Sequence, residues 1–154
     1  MSLITDRAFV NALRSNSTLM ALLPVGDVYN TTITTPDIDL DNAPVPYIIV
    51  SFDGMQNDDT TKDSSCEGDT DNVQISVEVC AKTRPQLGKL AIKVRNTIKS
   101  FFENAQPNDD DAGLIPIEYT LTTGGVNYDP DKPCYWMTLQ YQCDTNIDND
   151  EEEE

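Results

Sequence analysis

Acidic side chains are the residues of this sequence that most invite a chemical role. A run that starts at Asp63 has a glycine and several oxygen-bearing side chains at the spacing of a calcium-binding loop. The twelfth position of such a loop needs a bidentate glutamate, but here it is Gln74. A shorter run, Asp37, Asp39 and Asp41, has no glycine at its sixth position. We therefore predict no metal site and interpret these acids as solvated loop charge.

Nucleophilic and acid–base catalysis are equally poorly supported. The sequence contains no histidine, the side chain that most often acts as a base near neutral pH. Ser64, Ser65 and Cys66 lie close to Lys62, but a lysine activates a nucleophile only when burial lowers its pKa, and this stretch is too polar to bury it. We predict no catalytic residues and no cofactor.

The composition predicts a soluble, strongly acidic protein of one domain. The chain has 154 residues, with 27 acidic and 10 basic side chains and a formal net charge of −17. Such a surface repels phosphate backbones, so we do not expect it to read DNA or RNA sequence. No apolar stretch approaches the roughly 18 residues of a membrane-spanning helix. The opening Met1–Asp6 lacks the basic and apolar regions of a secretory signal.

The four cysteines leave two interpretations open. No pair has the C-x-x-C spacing of a zinc or redox motif. Because we expect no export signal, reduced cysteines that pack in the interior are favoured over two disulfides. The four are Cys66, Cys80, Cys134 and Cys143.

Apolar spacing predicts the helices that must position these side chains. A short helix follows Thr5, with Phe9 and Leu13 on one side, and a second helical turn capped by Ser17 has Leu22 on its apolar side. The strongest pattern is a long helix over 84–103, which begins with a capping box and a proline in its first turn. Its apolar stripe consists of Leu87, Leu90, Ala91, Val94, Ile98 and Phe101.

Four strands are predicted, over 47–52, 72–82, 115–121 and 135–143. The first is apolar on both faces, and the other three alternate between apolar and polar residues. Two hairpins around a long helix predict an α+β fold, in which the long helix and the short N-terminal helix pack on one face of an antiparallel four-stranded sheet. We assign residues 1–143 to this domain, with an acidic loop at 56–71 between two strands, and residues 144–154 to an acidic tail.

Basic residues are concentrated on the long helix. Six of the ten lie between Lys82 and Lys99. One interpretation is a solvated helix face. The other is head-to-tail assembly, in which the basic helix of one copy meets acidic loops of the next and closes a ring. The candidate interface residues are Asp37, Asp39, Asp41, Asp58, Asp59, Asp63, Glu67, Lys89 and Lys93.

Apolar patterns in a fixed order suggest a family. They are the short opening helix, LLPVGDVY at 22–29, VPYIIV at 45–50, and VQISVEVCAKT at 73–83, which runs directly into the long helix. In these features, over roughly residues 5–143, the sequence resembles the tail-terminator and tail-completion proteins of long-tailed bacteriophages, of the minor tail protein U type.

The resemblance implies a structural virion protein of the tail or neck, assembled in the host cytoplasm and without enzymatic activity. Such proteins form a ring, commonly a homohexamer, that stops tail-tube growth and contacts the head connector and neck proteins. Genomic DNA passes through the lumen without recognition of its sequence, and no membrane is involved. The alternatives are a head–tail connector or stopper ring, a small acidic binding protein that mimics DNA, and a calcium-dependent or hydrolytic enzyme.

Overall fold

Helices and strands follow one another largely as their apolar spacing predicts. The computed structural model describes residues 5–24, 26–30, 44–58, 70–104 and 118–146. All three predicted helices and the four predicted strands are present, so the α+β class is confirmed. The elements are α1 (Thr5–Arg14), α2 (Ser17–Met20), β1 (Tyr29–Asn30), β2 (Tyr47–Asp58), β3 (Thr70–Ala81), α3 (Arg84–Glu103), β4 (Glu118–Thr123), β5 (Asn127–Asp129) and β6 (Cys134–Asn146).

The sheet differs from the predicted one in strand number and direction. Within the described residues it has six strands in the order β1-β2-β3-β6-β4, and β5 also pairs with β6. The predicted four-stranded, purely antiparallel sheet is therefore wrong, because β1 pairs in parallel with β2 and places Tyr29 opposite Ile49. The β5 strand lies in the connection between the strands predicted at 115–121 and 135–143, and the Gly124 N–H before it donates to the Thr138 carbonyl at 3.0 Å.

Three strands are longer than their apolar patterns. The β2–β3 hairpin continues to Asp58 opposite Thr70, so it enters the segment predicted as an acidic loop over 56–71. Likewise, β6 runs to Asn146, beyond the residue at which we placed the start of the tail. Backbone hydrogen bonds sustain these extensions where side chains are polar. The hairpin has a bulge between Phe52 and Gly54, and Gly54 has φ of +154°, which other residues rarely adopt.

The main core lies between the helices and one face of the sheet. Alternate residues of β3 are fully buried on this face, in agreement with the predicted period of two. In α3 the predicted stripe is buried as far as Ile98, and Thr97 joins it. The predicted cap at Thr83 is confirmed, since the Gln86 N–H donates to Thr83 Oγ1 at 3.2 Å. The reciprocal bond of a capping box is shifted by one residue, because Gln86 Oε1 accepts from the Lys82 N–H at 3.1 Å.

A second, smaller apolar cluster covers part of the opposite sheet face. It contains Tyr47 and Ile49 of β2, so the prediction that this strand is buried on both sides is confirmed. Cys80 and Cys134 complete it, with Val45 and Trp136 partly buried against it. Cys80, Cys134 and Cys143 are buried thiols, whereas Cys66 lies outside the described residues.

Glu78 is half-buried on this same sheet face, opposite Ile49 and Thr138. Burial raises the pKa of its carboxyl group above the ordinary value of 4.5. The folded state therefore holds this proton more tightly than the unfolded chain does. The resulting stabilisation is complete below pH 4.5 and is lost as the pH rises through the folded-state pKa.

We expect Glu78→Gln to raise the unfolding temperature by about 2 °C at pH 7 and to have little effect at pH 4. Thermal unfolding followed by circular dichroism at both pH values measures this. The exposed Glu103 provides the control, because Glu103→Gln removes only a surface pair with Lys99 at 3.8 Å. An equal gain for Glu78→Gln at both pH values would contradict the assignment.

Candidate assembly surface

One polar side chain fixes α2 against α3. Asn16 is the N-cap of α2, and its Oδ1 accepts from the Leu19 N–H at 3.1 Å. Its Nδ2 donates to Thr97 Oγ1 at 2.8 Å, and that hydroxyl donates to the Lys93 carbonyl at 2.7 Å. The sequence-based choice of Ser17 as the cap was wrong by one residue, because Ser17 is already helical. The short helix is thus held beside the middle of α3.

Two hollows open side by side along this junction. The first has a volume of about 400 Å³, and its walls include Leu22, Pro46, Pro85 and Leu90. The second has a volume of about 350 Å³ and is lined by Asn16, Lys89, Ile92, Lys93, Asn96 and Thr97. Lys89 borders both. We call these two hollows together the α2–α3 groove.

The α2–α3 groove exposes apolar side chains that the core does not use. Leu22 is 50% exposed and Ile92 is 55% exposed. The sequence pattern predicts Leu22 on the apolar side of α2, but α2 is a single turn of four residues, and Leu19 and Leu23 fill the core beneath it. The sequence did carry a signal for Ile92, because it is an isoleucine that falls outside the apolar stripe of α3.

Positive charge accompanies this apolar surface. The helix α3 carries five basic residues and a single acidic one, Glu103. Within the parts of the chain that the structure describes, neither Lys89 nor Lys93 has a carboxylate within 4.0 Å, whereas Lys99 pairs with Glu103. Lys89 is exposed and Lys93 is half-buried. The groove therefore keeps two positive charges that no described residue compensates.

The negative charge of the protein lies almost entirely elsewhere. The described residues include nine basic and eleven acidic side chains, which is a net charge of −2. The remaining segments contain one basic and sixteen acidic side chains, a net charge of −15. The described residues are thus nearly neutral, and most of the net negative charge belongs to residues outside them.

Of the candidate interface residues, the structure brings Lys89 and Lys93 together one turn apart on α3. Asp58 is the last residue of β2. Six others lie outside the described residues, namely Asp37, Asp39, Asp41, Asp59, Asp63 and Glu67. The structure therefore describes the basic part of the predicted interface.

The described residues show neither a metal site nor a membrane-spanning helix. No group of three or more cysteine and acidic side chains there is arranged to hold a metal ion, and the start of the calcium-like run at Asp63 lies outside them. None of the described helices has the length and apolar character needed to cross a bilayer.

Comparison with known proteins gives a likeness of fold. No protein-family model and no curated protein matches the sequence. A chain in a solved structure of the virion of a native gene transfer agent (GTA) particle is similar, with a TM-score of 0.57 and 13% sequence identity. The match covers 92% of this chain and 94% of that chain. The chain thus shares its fold, over nearly its full length, with a chain of a GTA virion.

Proposed function

We propose that this protein is a structural, non-enzymatic component of a phage-like virion. The observation that carries the proposal is the fold shared with a chain of a GTA virion, over 92% of one chain and 94% of the other. The near-neutral charge of the described residues and the strongly acidic segments outside them suit a protein whose surface serves for contact with other subunits.

Within the virion we place the protein at the head-proximal end of the tail. There it forms a ring of six copies that terminates the tail tube and joins it to the head connector, while DNA passes through the lumen. The resemblance of the patterns at 45–50 and 73–83 to tail terminators supports this position. These patterns lie on β2 and on β3 as it enters α3. An acidic lumen would repel the phosphate backbone and leave DNA free to slide.

Ring closure requires two different, complementary surfaces on each copy. The α2–α3 groove is basic and partly apolar, and the acidic segments have the opposite charge. This pairing favours the head-to-tail assembly over the interpretation of α3 as a merely solvated face.

Particle symmetry tests the function. Native mass spectrometry and electron microscopy of the purified full chain, together with microscopy of the virion neck, should show a ring of six. A ring of twelve at the connector position would contradict the terminator role in favour of a connector or stopper. A monomer at high concentration that is also missing from the neck would contradict the virion role itself.

Charge reversal in the groove should weaken the ring. We expect Lys89→Glu with Lys93→Glu to raise the concentration for half-assembly about tenfold, because like charges then face each other across the interface. Mass photometry over a concentration series measures this. Arg84→Glu with Arg95→Glu makes the same change in charge on α3 at two residues that do not line the groove. Equal effects of the two double variants would contradict a role for the groove.

A further inference from the structure

The chemistry of the α2–α3 groove restricts what can bind in it. The walls of the first hollow are largely apolar, and Ile92 exposes a further apolar surface beside it. Lys89 and Lys93 border the groove without a described carboxylate partner. An occupant with alternating apolar and acidic side chains would bury apolar surface in the groove and would also compensate the charges of Lys89 and Lys93.

One segment of this chain has that alternation. Residues 37–41 read Asp-Ile-Asp-Leu-Asp, so an extended backbone would place Ile38 and Leu40 on one side and the three aspartates on the other. The acidic segments at 59–69 and 147–154 contain only one apolar residue each, Cys66 and Ile147. In 105–117 the acidic and apolar residues form separate blocks. We propose that residues 36–41 of a neighbouring copy bind in the α2–α3 groove.

We assign the bound segment to a neighbouring copy because closure of the proposed ring requires a contact between copies. Pro46 lines the groove, but Val45 packs into the small cluster on the opposite sheet face, and Pro44 is exposed. Val45 and Pro46 therefore face opposite sides of the sheet, as successive residues of an extended chain do. Because Pro46 lines the groove of its own copy, the test must separate binding within one chain from binding between copies.

This contact rests on the proposed ring function and identifies the two surfaces that close the ring. Residues 36–41 and the α2–α3 groove are different parts of the chain, so the contact is heterologous, as a ring of identical copies requires. The contact also brings three aspartates to two lysines, so that the local net charge falls to −1.

Exchange of charge between two variants tests the contact. The segment variant carries Asp37→Lys, Asp39→Lys and Asp41→Lys, and the groove variant carries Lys89→Glu and Lys93→Glu. Each alone should raise the concentration for half-assembly at least about tenfold. An equimolar mixture should return to within about twofold of the unmodified chain, because each segment then meets a groove of opposite charge. Mass photometry gives the assembly, and native mass spectrometry gives the composition of mixed rings.

Further variants distinguish apolar contact from charge contact, and binding within one copy from binding between copies. Ile38→Ser with Leu40→Ser should weaken assembly without rescue by the groove variant, because it removes apolar contact and not charge. Rescue in one chain that carries all five charge changes, with none in the mixture, would show that the segment binds its own groove and would overturn the proposal. Normal assembly of both charge variants would overturn it too, and would leave the ring function intact.

A readout that does not depend on ring closure completes the test. A fluorescent peptide of residues 34–43 titrated into the full chain should bind, and the groove variant should bind it at least about tenfold more weakly. Equal binding to the two proteins would overturn the proposed contact. A chain that binds the peptide but stays monomeric and is missing from virion necks would instead refute the ring function and keep the groove assignment.

Discussion

Leu139→Asp is expected to prevent folding. Leu139 is 1% exposed and lies in β6 between Val77 of β3 and Thr123 of β4. A carboxylate at this position would lose its water without gaining a partner, which costs several kcal/mol. Because the whole stability of a domain is only about 5–15 kcal/mol, we expect no cooperative unfolding transition at pH 7 and 25 °C in urea titrations followed by far-ultraviolet circular dichroism.

The residue next to it provides the control. Gln140 is exposed on the other face of the same strand, opposite Ser76 and Thr122. Gln140→Asp should therefore change the free energy of unfolding by no more than about 0.5 kcal/mol. If both variants unfold the protein, or if neither does, the assignment of the two sheet faces is contradicted.

Phe9→Ala is expected to give the second-largest loss of stability. Phe9 is fully buried, and its ring centroid lies 5.1 Å from that of Phe102 and 5.0 Å from that of Tyr141. It therefore joins α1 to α3 and to β6 through a single aromatic cluster. Removal of such a ring leaves a cavity and should lower the free energy of unfolding by about 3–5 kcal/mol.

Two matched variants make this result specific. Phe101 is only half-buried, and its centroid lies 6.0 Å from that of Phe102, so Phe101→Ala should cost clearly less than Phe9→Ala. Phe9→Leu keeps most of the volume and should cost about 1–2 kcal/mol. Urea unfolding curves give the free energy of unfolding of each variant, and the comparison holds when the dependence of that free energy on urea concentration is unchanged. Equal losses at Phe9 and Phe101 would contradict the central position of Phe9.

The long helix and the β2–β3 hairpin illustrate what local pattern can predict. The stripe of α3 repeats every three to four residues, and alternate residues of β3 are apolar, so each burial pattern follows from backbone geometry within one element. The Thr83 cap of α3 is equally local. These features need no knowledge of distant residues, which is why they were predicted correctly.

The α2–α3 groove shows where such prediction stops. Lys89 and Lys93 were singled out by their charge, but neither Leu22 nor Asn16 was linked to them. Asn16 is 81 residues from Thr97, to which it donates a hydrogen bond. A contact at that sequence separation leaves no periodic signal. The exposure of Leu22 likewise depends on how two helices pack, and not on the pattern within either.

The amino-acid sequence by itself determined the α+β class, the direction in which α3 and β3 bury their apolar faces, and the separation of positive charge on α3 from negative charge elsewhere. These properties follow from residue type and short-range spacing. Only the tertiary structure decided the parallel pairing of β1, the insertion of β5 and the hollows beside Lys89 and Lys93. A two-residue strand such as β1 has no period to detect, and a groove exists only once separate elements have packed against each other.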